Sequence, residues 1–286
     1  MQTQAVRTKQ ITKTEVAKKL GISRGMLYYQ HKRQLIDEEV KHQIEAVLAE
    51  HKAYGHKRIA PELKLNKKRI LRVMKKFNIK PYRMRPKKPS KKEDEGKAAI
   101  EGEINIYKLL CPICPNIVWV SDFTYITFQG RFIYLATIMD MYTREIIGVA
   151  ISRFHNQNLV MEAFMDAEKK TGTHPVYLHS DQGSEYTSDA YKIYVKSKEI
   201  ILSFADKASP WQNGFQESFY GKFKVDLGYM EQFGSLGALI EGIYQTIYYY
   251  NNKRRHTALN MSPVQFRKNY YIRKEALERL FKEMGT

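Results

Sequence analysis

Between residues 116 and 152 apolar and polar residues take turns along three short runs rich in β-branched and aromatic side chains. Asn116 to Thr127, Arg131 to Met139 and Arg144 to Ser152 are therefore predicted as strands, with Gln129-Gly130 as the turn between the first two. Three consecutive strands with short turns make an antiparallel meander. The period then changes. A helix is predicted at about 157–171, a short apolar strand from Pro175 to His179, a helix near 187–198, a strand from Ile200 to Phe204, and a helix opening at Ser209. A final helix is predicted over about 235–252, where Tyr244, Ile247, Tyr248 and Tyr249 fall, and Asn251 to Pro263 reads as loop. A meander followed by alternating helices and strands gives an α/β core: a mixed five-stranded sheet with helices on both faces.

The first third is patterned as helices. Ile11 to Tyr29 holds a short amphipathic helix, a turn at Gly21 and a second helix capped by Ser23, which is helix-turn-helix spacing, with Val16, Leu20, Ile22 and Leu27 as a small core. This puts Arg24 close to DNA; a helical hairpin with no DNA role is the alternative. Ile36, Val40, Ile44, Val47 and Leu48 recur at helical spacing over 36–53. Asn66 then caps a helix with the apolar stripe Ile70, Val73, Met74 and Phe77, on which Lys67, Lys68, Arg69, Arg72, Lys75 and Lys76 are crowded. With Lys57 and Arg58 just before it, this predicts a second helix-turn-helix whose recognition helix is 66–77. From Lys80 to Glu95, prolines at 81, 86 and 89 stand among Arg83, Arg85, Lys87, Lys88, Lys91 and Lys92, which reads as an extended linker able to track a phosphate backbone.

Charge sharpens this division. The 286 residues carry a formal net charge of +18, and residues 1–100 hold 27 Lys+Arg against 10 Asp+Glu, a net of +17, which leaves +1 for the remainder. A polyanion is the natural partner of the first third, and phosphate contacts with counterion release would give salt-sensitive affinity; a solubilising basic arm is the plainer alternative. No run approaches the roughly 18 consecutive apolar residues of a membrane span, and Met1-Gln2-Thr3-Gln4 lacks the apolar core of a signal peptide, so no membrane partner and a cytoplasmic address are expected, nucleoid-associated when bound to DNA. Cys111 and Cys114 form half of a structural zinc site with no second half, and read as ordinary reduced thiols.

Three carboxylates stand where chemistry is plausible. Asp122 interrupts the first strand and points to the same face as Val120 and Thr124, so either a cation offsets its desolvation or it faces water on an edge strand. Asp181 follows the fourth strand, at the sheet edge where α/β proteins bind ligands, with Gly183 letting backbone come close; His179 and Ser180 support this turn. Glu217 falls in the second turn of the helix that Ser209, Pro210 and Gln212 would start, and Lys224 lies seven residues on, on the same face and about 10 Å away along the axis. Oxygen ligands alone favour Mg2+, with Mn2+ as a substitute, and two such ions can drive in-line displacement at phosphorus while Lys224 holds a DNA phosphate. Asp140 is a decoy, read as a turn residue near Arg144.

Asp122 and Asp181, with 35 residues between Asp181 and Glu217, resemble the acidic triad of retroviral integrases and of related insertion-sequence transposases. Trp119 to Ile126, His179 to Tyr186, Ser209 to Phe219, and Tyr250-Asn251 to Arg255-His256 with Ser262-Pro263 are similar to the second-reading-frame protein of the two-frame insertion sequences, and Tyr54 to Ile59 is similar to that family's second helix-turn-helix. Asn260 stands where the family pattern has Gly. The resemblance implies an RNase H-like core, Mg2+-dependent DNA cleavage and joining, binding of double-stranded DNA at the element's inverted repeats and target, a homo-oligomer on DNA, and the upstream-frame protein as fusion or partner. Arg254 and His256 of the tail join the expected DNA contacts. The expected domains are a first helix-turn-helix at 1–33, a second at 34–79, a basic linker at 80–110, the catalytic core at 111–232 and a C-terminal helix and tail at 233–286. The alternatives are a DNA-binding regulator with an inactive core and a non-joining nuclease of the same fold.

Overall fold

The computed structural model describes residues 12–28, 33–83, 105–106, 111–206 and 213–284. The chain divides into two compact units, Met1–Glu50 with Gly55–Lys80, and His51–Tyr54 with Pro81–Thr286. The two helical modules separated at residue 33 on sequence grounds thus fall in one unit.

In the first unit Thr12 opens α1 (Lys13–Lys19) with a capping box, its hydroxyl accepting from Glu15 N while its own N–H donates to the Glu15 carboxylate. Gly21, at φ 64°, ends the turn. The segment after Ser23 is a five-residue 3-10 helix, Arg24–Tyr28, in place of the α-helix expected to carry Arg24 into DNA. Its small core is also thinner than expected: Ala17 is buried, Val16, Ile22 and Leu27 are half-buried, and Leu20 is 61% exposed. α2 (Arg33–Glu50), α3 (His56–Glu62) and α4 (Lys67–Lys76) bury Val40, Ile44, Ile59, Ile70 and Val73, and Asn66 caps α4 by accepting from Lys68 N at 2.8 Å. Buried Asp37 of α2 accepts both arms of the Arg72 guanidinium, at 2.7 and 2.5 Å, and Lys76 Nζ at 3.0 Å. These hydrogen bonds hold its carboxyl well below the usual carboxylate range. Arg72 is therefore a tie between α2 and α4.

In the second unit β1 (Val118–Phe128) and β2 (Arg131–Asp140) form the expected hairpin, and Gln129 and Gly130 both take positive φ, as a tight turn matched to strand twist requires. β3 (Ile146–Ser152) extends the sheet antiparallel to β2. α5 (Gln157–Thr171) returns the chain, so that β4 (Tyr177–Ser180) lies parallel to β1; β5 (Ile201–Phe204) lies parallel to β4, giving the order β3-β2-β1-β4-β5. Between them the helix expected near 187–198 is α7 (Asp189–Lys196), preceded by a single turn, α6 (Ser184–Thr187), from which the extended backbone of Ser188 separates it.

Trp119, Ala136, Ile138, Phe164 and Ala167 fill the core on the α5 side of the sheet. On the other, Ile126, Leu135 and Val149 pack against α8 (Gly214–Leu227) and α9 (Leu236–Asn252) through Phe219, Phe223, Leu239 and Ile243. Asn251 pins the end of α9 to the edge strand by accepting from Ile146 N and donating to Ile146 O, at 2.9 and 2.8 Å. A loop follows α9, as expected, and leads at Pro263 into a further 22-residue helix, α10 (Pro263–Met284), which was not expected; it is started by Ser262, whose hydroxyl accepts from Gln265 N. Asn260 takes φ 58° in the turn before it; Asn tolerates this left-handed conformation, so the departure from Gly keeps the turn.

α5 comes close to β3 at Gly148, where a Cβ would lie 2.2 Å from Ala163 O and 2.8 Å from Ala167 Cβ. Gly148→Ala is expected to push α5 off β3 and to lower stability by about 1–3 kcal/mol or more, read as a lower urea midpoint for the whole chain. An unchanged midpoint would show that the helix gives way freely.

Candidate active site

The rung Val120–His179 is the last that joins β1 to β4, and Asp122 and Asp181 each stand two residues beyond it. Parallel strands advance together, so the two carboxylates leave the sheet at the same end, where β4 has stopped and β1 runs on. Burial, then the charge of Asp181, with Glu217 adding to both, push Asp122 up to about 8 against one hydrogen bond from Phe123 N at 2.9 Å. Burial raises Asp181 too, opposed by a hydrogen bond from Gly183 N at 3.0 Å. A Cβ at Gly183 would lie 2.9 Å from Glu185 Oε2 and 3.1 Å from Asp181 Oδ1, so a larger residue there would press on both carboxylates.

Glu217 is exposed in the first turn of α8, one turn earlier in its helix than expected; the Ser209–Pro210 start lies outside the described residues. What holds Glu217 at the sheet is the buried residue beside it. Gln216 Nε2 donates to Val120 O at 2.7 Å and Thr137 O at 3.2 Å, and its Oε1 accepts from Thr137 Oγ1 at 3.1 Å. One turn later Tyr220 OH lies 2.7 Å from Asp122 O and 2.8 Å from Thr137 Oγ1. The Arg144 guanidinium lies 3.5 Å from the centre of the Phe215 ring at the start of α8. At its far end Asp226 accepts from Arg254 Nε at 2.5 Å, and both side chains are buried. Arg254 thus fastens α8 and is withdrawn from solvent.

Lys224 is half-buried with Nζ 5.4 Å from the centre of the Tyr125 ring, and burial lowers its proton affinity. Asp140 is a structural turn residue, accepting from Asn116 N, Tyr142 N, Thr143 N and Thr143 Oγ1. His179 is buried with Nδ1 2.8 Å from Ser203 Oγ on β5, which ties β4 to its neighbour. Glu185 and His155, joined at 2.8 Å, were not singled out in the sequence; the signal was a second acid four residues after Asp181. Of the other expected DNA contacts, Arg24, Lys57, Lys67, Lys68 and Arg83 are exposed, Arg58 and Arg69 are half-buried, His256 bridges to Met261 through its backbone, and Arg85 lies outside the described residues. Cys111 and Cys114 are free thiols.

Among the described residues no three His, Cys, Asp or Glu side chains already form a metal cage. The donor chemistry nonetheless fits a hard divalent cation: oxygen ligands alone, two of them half-buried, with a mutual repulsion that a cation would relieve. Among the same residues no helix is long and apolar enough to cross a membrane.

A sheet ordered β3-β2-β1-β4-β5, with acids on the middle strand, after its parallel neighbour and on the helix behind, defines the RNase H-like fold. The integrase core domain family matches residues 112–210 and again 198–263. Over 246 residues the chain is 31% identical to the transposase of insertion sequence element IS904 from Lactococcus lactis, covering 83% of this chain and 96% of that protein. It is 28% identical over 271 residues to the putative transposase InsK of IS150 from Escherichia coli K12 (90% of this chain, 94% of that one) and 29% identical over 265 residues to a 31 kDa protein of IS600 from Shigella sonnei (88% and 97%). The chain belongs to the family of insertion-sequence transposases with an integrase-like core.

Gln216→Leu would leave two strand carbonyls and the Thr137 hydroxyl without their partner. A loss of about 1–3 kcal/mol is expected in urea unfolding, and a smaller loss, about 1 kcal/mol, for Tyr220→Phe. Unchanged stability in both would show that apolar packing alone holds α8.

Proposed function

We propose that this protein is a DNA transposase that binds the terminal inverted repeats of its own element and carries out metal-dependent strand cleavage and strand transfer, as a homo-oligomer on DNA and with the upstream-frame protein as fusion or partner. The observation that carries this reading is the meeting of Asp122 and Asp181 at one end of the sheet, with Glu217 close enough for its charge to raise Asp122. Asp122, Asp181 and Glu217 would hold Mg2+, with Mn2+ as a substitute; two such ions, when bound, activate the attacking oxygen and stabilise the leaving one. Lys224, on the same helix as Glu217, places a cation where the DNA phosphate must lie. Exposed Lys57, Lys67, Lys68 and Arg83, with Arg24, Arg58 and Arg69, supply phosphate contacts that fix the duplex without reading its sequence.

Two outcomes follow. With end-labelled duplexes from the flanks of its own gene, the parent protein is expected to give new 3′ ends at defined positions and joined products in Mg2+ and none in EDTA. Glu217→Gln is expected to bind those duplexes and lose cleavage by at least about a hundredfold. Turnover retained in that variant would remove Glu217 from the site, and binding without cleavage by the parent, alone and fused to the upstream-frame protein, would make the chain a regulator.

The second concerns pH. Folded and metal-free, Asp122 keeps its proton up to about 8, whereas unfolded it loses it near ~3.9. The folded state therefore binds more protons in that window, and metal-free stability falls as pH rises from about 4 to about 8. A divalent cation replaces that proton, so the rise in melting temperature given by Mg2+ should be larger at about pH 9 than at about pH 6, and Asp122→Asn should abolish the difference. Equal rises at both pH values in the parent would overturn the assignment of Asp122.

A further inference from the structure

One face of the β1–β2 hairpin is covered with aromatic rings. Phe123 and Tyr125 share it with Tyr134 and Phe132, because Tyr125 pairs with Tyr134, and Phe132 pairs with Thr127 two residues along. The rings meet in series: Tyr125 to Phe132 at 5.1 Å between centres, Phe132 to Tyr134 at 6.4 Å, and Tyr134 to His155 at 4.9 Å. His155 lies parallel to Phe123, 6.2 Å away with 8° between their planes. Phe123 and Tyr134 pack partly against the core on the α5 side, while Tyr125 and Phe132 stand out of it, 55% and 53% exposed, and Phe154, next to His155, is 71% exposed. Sheet stability does not ask for rings in water, so a contiguous exposed row of them marks a binding surface.

The charge around the row says what binds. No Asp or Glu occurs from Phe123 to Met139 or from Ile146 to Asn156, while Arg131 and Arg153 are exposed beside the rings and Lys224 Nζ lies 5.4 Å from the Tyr125 centre. Asp122 precedes Phe123 on the opposite face of the strand, and Glu185 is buried against His155. Exposed π-faces flanked by cations suit a nucleic acid strand whose bases are unpaired; a paired duplex keeps its base faces stacked inside and offers nothing to them. The row reaches the reacting centre through His155. Phe123 follows Asp122 in the strand but faces the other side of the sheet, Tyr125 lies about 10 Å from Asp122 along the strand at ~3.3 Å per residue, and His155 meets Glu185, whose carboxylate closes on Gly183 beside Asp181.

We infer that the ring-covered face of this hairpin, with His155, is a stacking platform for unpaired bases of the DNA strand whose phosphate lies at Asp122 and Asp181. Lys224 and Arg131 hold that strand's backbone beside it. The inference rests on the reading above of those two aspartates as the reacting centre. It gives the protein a preference for DNA with unpaired bases next to the phosphate over the same sequence fully paired.

The test uses the full chain in EDTA, where no chemistry occurs, and two probes: a blunt duplex, and the same duplex with a short single-stranded overhang carrying 2-aminopurine. The parent protein should bind the overhang duplex more tightly and change the probe's fluorescence. Phe132→Ala should weaken overhang binding about tenfold and leave blunt-duplex binding unchanged, and Phe132→Trp should restore it. Tyr125→Leu, which keeps apolar area and loses the ring, should behave like Phe132→Ala, and melting curves would verify that both variants are folded. Unchanged overhang affinity in both variants, or equal loss on both probes, would overturn the platform; so would a changed oligomeric state with both affinities intact, which would make the face a protein contact. If the parent makes no cleavage products in Mg2+ yet keeps its overhang preference, the transposase reading fails and the platform stands.

Discussion

Everything chemical in this fold depends on the height and rotation at which α8 meets the sheet. Apolar packing brings the helix there, through Phe219 and Phe223, but such contacts are non-directional and leave a helix free to slide or turn by fractions of a residue. Gln216 and Tyr220 remove that freedom. Their hydrogen bonds end on backbone atoms of β1 and β2 and on one threonine, and burying those polar groups is tolerable only in the single arrangement that satisfies them. Because one of those acceptors is Asp122 O, the same contacts that orient Glu217 also hold the backbone of Asp122. The Arg254–Asp226 pair at the other end makes this a two-point fixing.

A second tension runs through the acids themselves. Asp122, Asp181, Glu185 and Glu217 gather around one end of the sheet although like charges repel, and the chain manages this by different means. Glu185 is matched with His155, Asp181 is steadied by Gly183 N–H, and Asp122 is left with one backbone donor and a strongly raised proton affinity. The carboxylate least provided for by the protein is the one most in need of an outside cation, which is the pattern expected of a site built for function at some cost to stability.

The strands, α5 and the core sides were legible in the sequence because alternation and helical spacing report burial directly, and the Gln129-Gly130 turn because the residues a tight hairpin needs are few. Asp122 and Asp181 were legible because a carboxylate in an apolar strand and another after a strand end break the local pattern. What escaped was set by tertiary contact. Nothing local distinguishes Gln216 from a surface glutamine, and Arg72 and Arg254 look like any other basic residue until Asp37 and Asp226 are brought to them from 35 and 28 residues away. The start of α10 differs in kind. Ser262-Pro263 is the same start signal as Ser209-Pro210, so the beginning of α10 was legible from local residues alone.

The position of α8 late in the chain also governs when activity can first arise. The sheet is finished at Phe204, but Glu217 comes afterwards, and the helix carrying it is fastened by Arg254, later still. A growing polypeptide that has emerged as far as β5 can therefore fold its strands and show both aspartates while lacking the third acid and the clamp on its helix. On the transposase reading, the synthesis machinery is never attached to a half-made enzyme able to cut the DNA from which its message is being copied.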